Sequence, residues 1–433
     1  MSDQRSSYSE DASAGILASL PELLHVNRPY AWWGEILARV SSTIDSIATP
    51  RAWITHLRDG QTTDIQQALS ARMQSTGAVG RAPGKVLEVG LDTLPAGSDV
   101  WFIGDIHGDL LGLEAALAII RERSGPGTKV VLLGDLVDDG FNCGEIILRV
   151  IDLILADPDL EISMLAGNHD EALLYDMDAR VFKSRVEPGD FALWLNEHPA
   201  WHDVGRAFIN FVSLLPRALF FRQGLFAAHA GFPHSDTWAR IAHASGTARL
   251  QDADMLKDFT WNRLSEAKQK IPNRSTSGAS FGSEDFHGFC EVVSGALGYD
   301  ITMMVRGHDH ISDRRERFSR PLSHRRWAYD GKILTVNNMS YALPRETGMD
   351  FGKIGLGRQP TLARWCVEQG SPKPIAIEIP ADVLAQYVVV CETCGRARPR
   401  AGKRCWTRVD KGGLCGDSNA ASPVQEREHE IDS

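Results

Sequence analysis

Short apolar runs that stop at Gly-containing polar corners constrain the fold of this chain more than any other feature. Residues 100–103 run into Gly104-Asp105, residues 130–133 into Gly134-Asp135, and residues 162–165 into Gly167-Asn168. Each run reads as a buried strand, and residues 110–123, between the first two, read as an amphipathic helix. Asp105 and Asp135 are 30 residues apart and Asp135 and Asn168 are 33 apart, enough for crossover units of about 30 residues. Such crossovers return successive strand ends to one edge of a sheet, where ligands collect in open αβ folds. Later runs at 225–228, 301–305, 333–336 and 374–379 read as strands with no regular helix expected between them. The expected architecture is therefore mixed α/β (α+β): a two-sheet β-sandwich core flanked by helices.

The rest of the chain reads as additions to that core. Its 433 residues, 24% charged and 43% hydrophobic, suit about two or three soluble domains. From Leu17 to about Met73, apolar residues recur at three- to four-residue steps, which predicts a small N-terminal helical element; Gly, Ala and Ser over 75–84 read as a linker. The expected division is 1–95 for this element and linker, 96–385 for the main domain, 386–419 for a Cys-rich segment and 420–433 for a disordered tail. A net charge of -10 gives no global field toward nucleic acid or anionic lipid. Residues 1–15 are polar and acidic, unlike a secretory leader, and residues 146–156 are interrupted by Arg149 and Asp152 and too short to span a bilayer. A cytoplasmic location and no membrane partner are expected.

The corners carry chemistry of one kind. GDIHGD supplies Asp105 and His107, GDLVDDG supplies Asp135 and Asp138, GNHD supplies Asn168 and His169, AAHAG supplies His229, and RGHDH supplies His308 and His310. Carboxylates, imidazoles and an amide suit divalent Mn, Fe or Zn, and a carboxylate between two sites can bridge them; Asp135 is the expected bridge. Two cations about 3.5–4 Å apart hold a hydroxide as nucleophile and neutralise phosphoryl oxygens, which predicts hydrolysis of a phosphate ester. Asp109 reads equally as a member of this set or as the N-cap of the following helix.

GDIHG, GDLVDDG, GNHD, HAG and RGH, in this order, resemble the calcineurin-like metallophosphoesterase superfamily. GDLVD followed by Trp261-Asn262-Arg263 is similar to its phosphoprotein phosphatase family of serine/threonine phosphatases, over residues 99–341. The resemblance implies one metal on Asp105, His107 and Asp135, and another on Asp135, Asn168, His229 and His308. His310 ligates the first metal in the broader superfamily. It also implies His169 as general acid, Asp138 as its orienting partner, and Arg263 as a bidentate phosphoryl grip. Two departures bear on substrate identity: Asp139 stands where these phosphatases usually carry a phosphate-binding Arg, and Asp170 replaces the Glu of GNHE. A phosphorylated protein side chain, Ser or Thr first, is the favoured substrate. A dinucleoside polyphosphate or other small phosphoester is the alternative, and a non-catalytic binding or regulatory module is the alternative from another class.

Two inserts, 172–224 and 233–300, carry Trp194, Trp201 and His202, and Phe259, Trp261, Phe281 and Phe286. They read as subsidiary cores or as walls of a cleft. In the tail, Cys391, Cys394, Cys405 and Cys415 read as a structural zinc site or as free thiols. The arginines and lysines among them form a solvated loop or a ribbon contacting nucleic acid or an acidic protein partner.

Overall fold

The protein is described from a computed structural model. The described residues are 23–25, six positions between 32 and 42, 85–91, 98–309 except 126, 141, 158, 243–249 and 273–277, then 327–339, 361–367, 373–379, 388–390 and 397–399. In chain order the strands are β1 Leu23–His25, β2 Val86–Val89, β3 Asp99–Ile103, β4 Lys129–Leu132, β5 Glu161–Met164, β6 Leu173–Asp176, β7 Val181–Ser184, β8 Ala218–Phe221, β9 Leu225–Ala228, β10 Arg263–Leu264, β11 Ile271–Pro272, β12 Ala279–Phe281, β13 Met303–Arg306, β14 Trp327–Ala328, β15 Ile333–Thr335, β16 Thr361–Cys366, β17 Ile375–Glu378, β18 Val388–Val390 and β19 Ala397–Pro399. The helices used below are α1 Leu110–Arg123, α2 Cys143–Ala156, α3 Asn168–Ala172, α4 Asp190–Glu197, α5 His202–Leu214, α6 Trp238–Ala242, α7 Ala253–Trp261 and α8 Ser283–Leu297.

Two six-stranded sheets form the body, in the orders β1-β17-β16-β3-β4-β5 and β14-β15-β13-β9-β8-β2. The pleat assigns alternate side chains of each strand to opposite faces. On β3, Val100 and Phe102 pack with Leu219, Phe221, Val305 and Trp365 in the layer shared by both sheets. Trp101 and Ile103 instead pack with Leu113, Leu117, Ile147 and Ile151 of α1 and α2. A third cluster covers the other face of the second sheet, where Phe220 and Phe226 meet Phe259, Phe286 and Phe289. Phe259, Phe281 and Phe286 of the second insert thus build a subsidiary core, and Trp201 of the first insert is buried in the α1/α2 layer. No helix among the described residues is long and apolar enough to cross a membrane.

Trp365 ties the sheets together: it is 1% exposed and its ring meets Phe221 edge-on at 5.4 Å. Trp365→Ala is expected to cost about 3–5 kcal/mol, the usual range for deleting a large buried aromatic. A urea titration checks this as a lowered midpoint with unchanged slope.

Within residues 17–73 the described residues hold one strand and helical positions. Leu23–His25 is a strand parallel to β17, although Trp32 and Ile36 are helical and pack against the α1/α2 layer. Val86–Val89 lies before the expected boundary at residue 95, yet it pairs with β8 and completes the edge of the second sheet. Hydrogen bonding to strands 353 and 132 residues further along the chain decides both segments, and spacing along the chain does not report it.

Candidate metal centre

Parallel pairing sets the registers Ile103 with Leu132 and Leu132 with Met164, so the turns after β3, β4 and β5 leave the same edge. In the second sheet, β9 and β13 align Ala227 with Val305, which brings His229 and His308 to the corresponding edge. An Asp105–Asn337 bridge stitches the two sheets together there. The turns are tight: His107, Asp135, Asp138, Asp139 and His308 adopt φ values of 46°, 55°, 67°, 60° and 72°. Non-glycine residues in this region carry backbone strain, which clusters at functional sites. Two glycines permit the packing, since a Cβ on Gly167 would lie 2.1 Å from Asp135 Oδ1 and one on Gly307 2.1 Å from Asp105 Oδ1.

The buried side chains converge with their lone pairs inward. His107 Nδ1 lies 2.7 Å from Val137 O, and His229 Nδ1 lies 2.9 Å from Leu133 O. A carbonyl only accepts, so both rings carry a proton on Nδ1 and turn Nε2 inward. Asp135 Oδ2 lies 3.6 Å from His107 Nε2 and 3.2 Å from His229 Nε2, but accepts no aligned hydrogen bond. His229 Nε2 also faces Asn168 Oδ1 at 3.0 Å and His308 Nδ1 at 3.2 Å. His308 Nε2 is buried without a partner, and Asp105 accepts from the His308 N–H at 2.9 and 3.0 Å.

Acceptors facing acceptors in a dry pocket require positive charge between them. The carboxylates here draw positive charge: burial alone would depress His229, but the carboxylate of Asp135 raises it to about 9. Burial likewise opposes ionisation of Asp135, while His229 and His169 hold its carboxyl well below the usual range. Two sets of donor atoms lie close enough to share an ion, His107, Asp135 and His169, and Asp135, His229 and His308. Asp135 belongs to both. The mixed oxygen and nitrogen donors fit divalent transition metals.

His169 adjoins this pocket, its ring edge-on to that of His107 at 4.8 Å. Its backbone N–H donates to Asp135 Oδ1 at 2.9 Å, and its Nδ1 lies 2.8 Å from Asp138 Oδ2. Burial lowers its basicity, but Asp135 and the hydrogen bond to Asp138 outweigh it and raise the imidazole to about 10. Asp138 is itself held, because its Oδ1 accepts the Phe191 N–H at the start of α4 at 3.0 Å. Asp190, the first residue of that helix, accepts from the Asp139 N–H at 3.1 Å. The first insert therefore supports the His169–Asp138 pair through a helix N-terminus, which favours an anionic Asp138.

Asp109 caps α1, accepting the Gly112 N–H at 2.8 Å. Asp170, noted only as a departure from a motif, accepts the N–H groups of Asp135, Leu136 and Gly167 at 2.8, 2.9 and 3.0 Å. Its position at N3 of α3 was the available signal. Arg263 binds Asp309 at 3.1 Å and is partly exposed, whereas Arg306 is fully buried. His310, Cys391, Cys394, Cys405 and Cys415, and the tail after residue 419, lie outside the described residues.

Residues 98–312 match the family model of calcineurin-like phosphoesterases. A serine/threonine-protein phosphatase PP2A-like PPG1 of Candida albicans is 23% identical over 242 residues, 55% of this chain and 51% of that protein. The chain thus spans about half the length of this curated relative. Among solved structures, a serine/threonine phosphatase from Saccharomyces cerevisiae with similarity to human phosphatase PP5 is 16% identical, with 73% of this chain and 88% of that chain covered at a TM-score of 0.48. A cold-active protein-tyrosine phosphatase of a psychrophilic Shewanella species is also 16% identical, with 63% and 76% covered at a TM-score of 0.37.

Proposed function

Because residues 98–312 belong to the calcineurin-like metallophosphoesterase superfamily, we propose that this chain hydrolyses phosphate monoesters at a two-cation centre, with phosphoserine and phosphothreonine side chains as substrates. The observation that carries this reading is Asp135 Oδ2, a buried carboxylate oxygen without an aligned donor between two inward-turned imidazoles. Asp105, His107 and Asp135 would hold one cation, and Asp135, Asn168, His229 and His308 the other. Bound divalent ions supply Lewis acidity, lowering the pKa of water and neutralising phosphoryl charge.

The remaining work belongs to side chains. His169, protonated and buried beside Asp138, gives its proton to the leaving oxygen, which spares the departing group a full negative charge. Asp138 fixes the tautomer and ring plane, and the α4 N-terminus keeps Asp138 ionised. Arg263 presents the part of its guanidinium not bound to Asp309 to the phosphoryl oxygens. Divalent manganese, iron or zinc all fit this donor set. The segment with Cys391, Cys394, Cys405 and Cys415 is proposed as a separate structural zinc site.

The test is a side-by-side rate comparison with manganese on phosphoserine, phosphothreonine and phosphotyrosine peptides, nitrophenyl phosphate and diadenosine tetraphosphate. The expected result is a kcat/KM on the phosphoserine and phosphothreonine peptides at least about tenfold above that on diadenosine tetraphosphate, a difference of about 1.4 kcal/mol in transition-state binding. The reverse order would replace the protein-phosphatase reading by that of a small-phosphoester hydrolase. Silence on every substrate with every divalent metal would leave a binding module.

A further inference from the structure

We infer that Asp309 is a positioning residue for the phosphoryl grip: its carboxylate, anchored by the buried Arg306, fixes the guanidinium of Arg263 at the wall of the centre. The inference rests on the reading of Arg263 as the group that holds the phosphoryl oxygens.

Asp309 directly follows His308, on the loop after β13. Its Oδ1 accepts from Arg263 Nη1 at 3.1 Å, and its Oδ2 accepts the Leu264 N–H at 3.1 Å and Arg306 Nη1 at 2.5 Å. Arg263 and Leu264 form β10, which pairs with β12 and so belongs to the second insert. One carboxylate therefore fastens an insert strand, by side chain and backbone together, to the loop bearing a candidate ligand. The two arginines differ in access. The side chain of Arg306 is 0% exposed, and its Nε donates to Ala230 O; that of Arg263 is 26% exposed. Arg306 cannot reach a substrate and instead neutralises Asp309. Arg263 is partly open to solvent with Nη1 committed to Asp309, and on the proposed reading the rest of its fork meets the phosphoryl oxygens.

A long cationic side chain gives up rotamer freedom when it binds an anion, and a preset guanidinium gives up less. Electrostatics alone makes the opposite prediction: a carboxylate near a phosphate-binding Arg repels phosphate, so removing its charge would tighten binding. The sign of the effect distinguishes positioning from charge.

The experiment measures inorganic phosphate binding to the manganese-loaded full chain by calorimetry, for the parent, Arg263→Ala, Asp309→Asn and the double variant. Arg263→Ala is expected to weaken binding roughly 10- to 100-fold, the range of a charge-assisted hydrogen bond. Asp309→Asn should weaken it about tenfold, and the double variant should bind no more weakly than Arg263→Ala, because Asp309 acts only through Arg263. Phosphate binding by Asp309→Asn equal to or tighter than the parent overturns the inference, as does multiplication of the two losses. An unchanged affinity in Arg263→Ala removes the grip and the positioning together, while nitrophenyl phosphate turnover by the parent reports separately on the hydrolase. If Asp309→Asn does not fold, Asp309→Ala, which also removes the charge, enters the same cycle with the same two outcomes.

Discussion

Asp135→Asn is expected to lower kcat/KM for nitrophenyl phosphate by at least about 10³-fold while the protein stays folded, since several kcal/mol of charge stabilisation depend on bound metal. The two oxygens of Asp135 have different duties. Oδ1 accepts the His169 N–H at 2.9 Å, and an amide oxygen retains that bond, so the turn survives. Oδ2 faces two imidazole nitrogens, and an amide in its place is neutral and cannot bridge two cations. Elemental analysis should find fewer than two equivalents of manganese, with an unfolding midpoint close to that of the metal-free parent. Retention of more than about a tenth of parental activity, under 1.4 kcal/mol of barrier, would rule out Asp135 as the bridge.

His169→Asn separates proton donation from the rest of the site. The loss on a phosphoserine peptide, whose alkoxide leaves poorly, is expected to be about 10²–10⁴-fold, and that on nitrophenyl phosphate much smaller. The contrast arises because nitrophenolate needs little protonation, while Asp138, released from its 2.8 Å hydrogen bond with the imidazole, keeps the Phe191 N–H. Equal losses on both substrates would refute the general-acid role and point to a purely structural contribution.

The core was legible because its chemistry is punctuated locally. Apolar runs ending in Gly-Asp or Gly-Asn marked β3, β4 and β5 within one residue, and the helix expected over 110–123 is α1 with the same bounds. The corner residues could be gathered into one site because parallel strands share an edge, a rule of topology that needs no contact information. Leu23–His25 falls inside the expected helix because three residues are too few to show a period of two, and their pairing partner is Ala376–Glu378. Asp190 and Asp309 illustrate a second limit: each acts by accepting backbone or guanidinium N–H groups from other segments, and neither position carries a local mark of that duty.

The left-handed corners have an evolutionary corollary. His107, Asp135, Asp138, Asp139 and His308 each occupy a conformation that glycine adopts at no steric expense, and relaxing each would gain about 1 kcal/mol. At four of them the replacement would delete a group proposed to act in the reaction. Thermal robustness at this rim and turnover therefore compete for the same positions, and Asp139 alone offers selection a way to harden the scaffold without surrendering one of those groups.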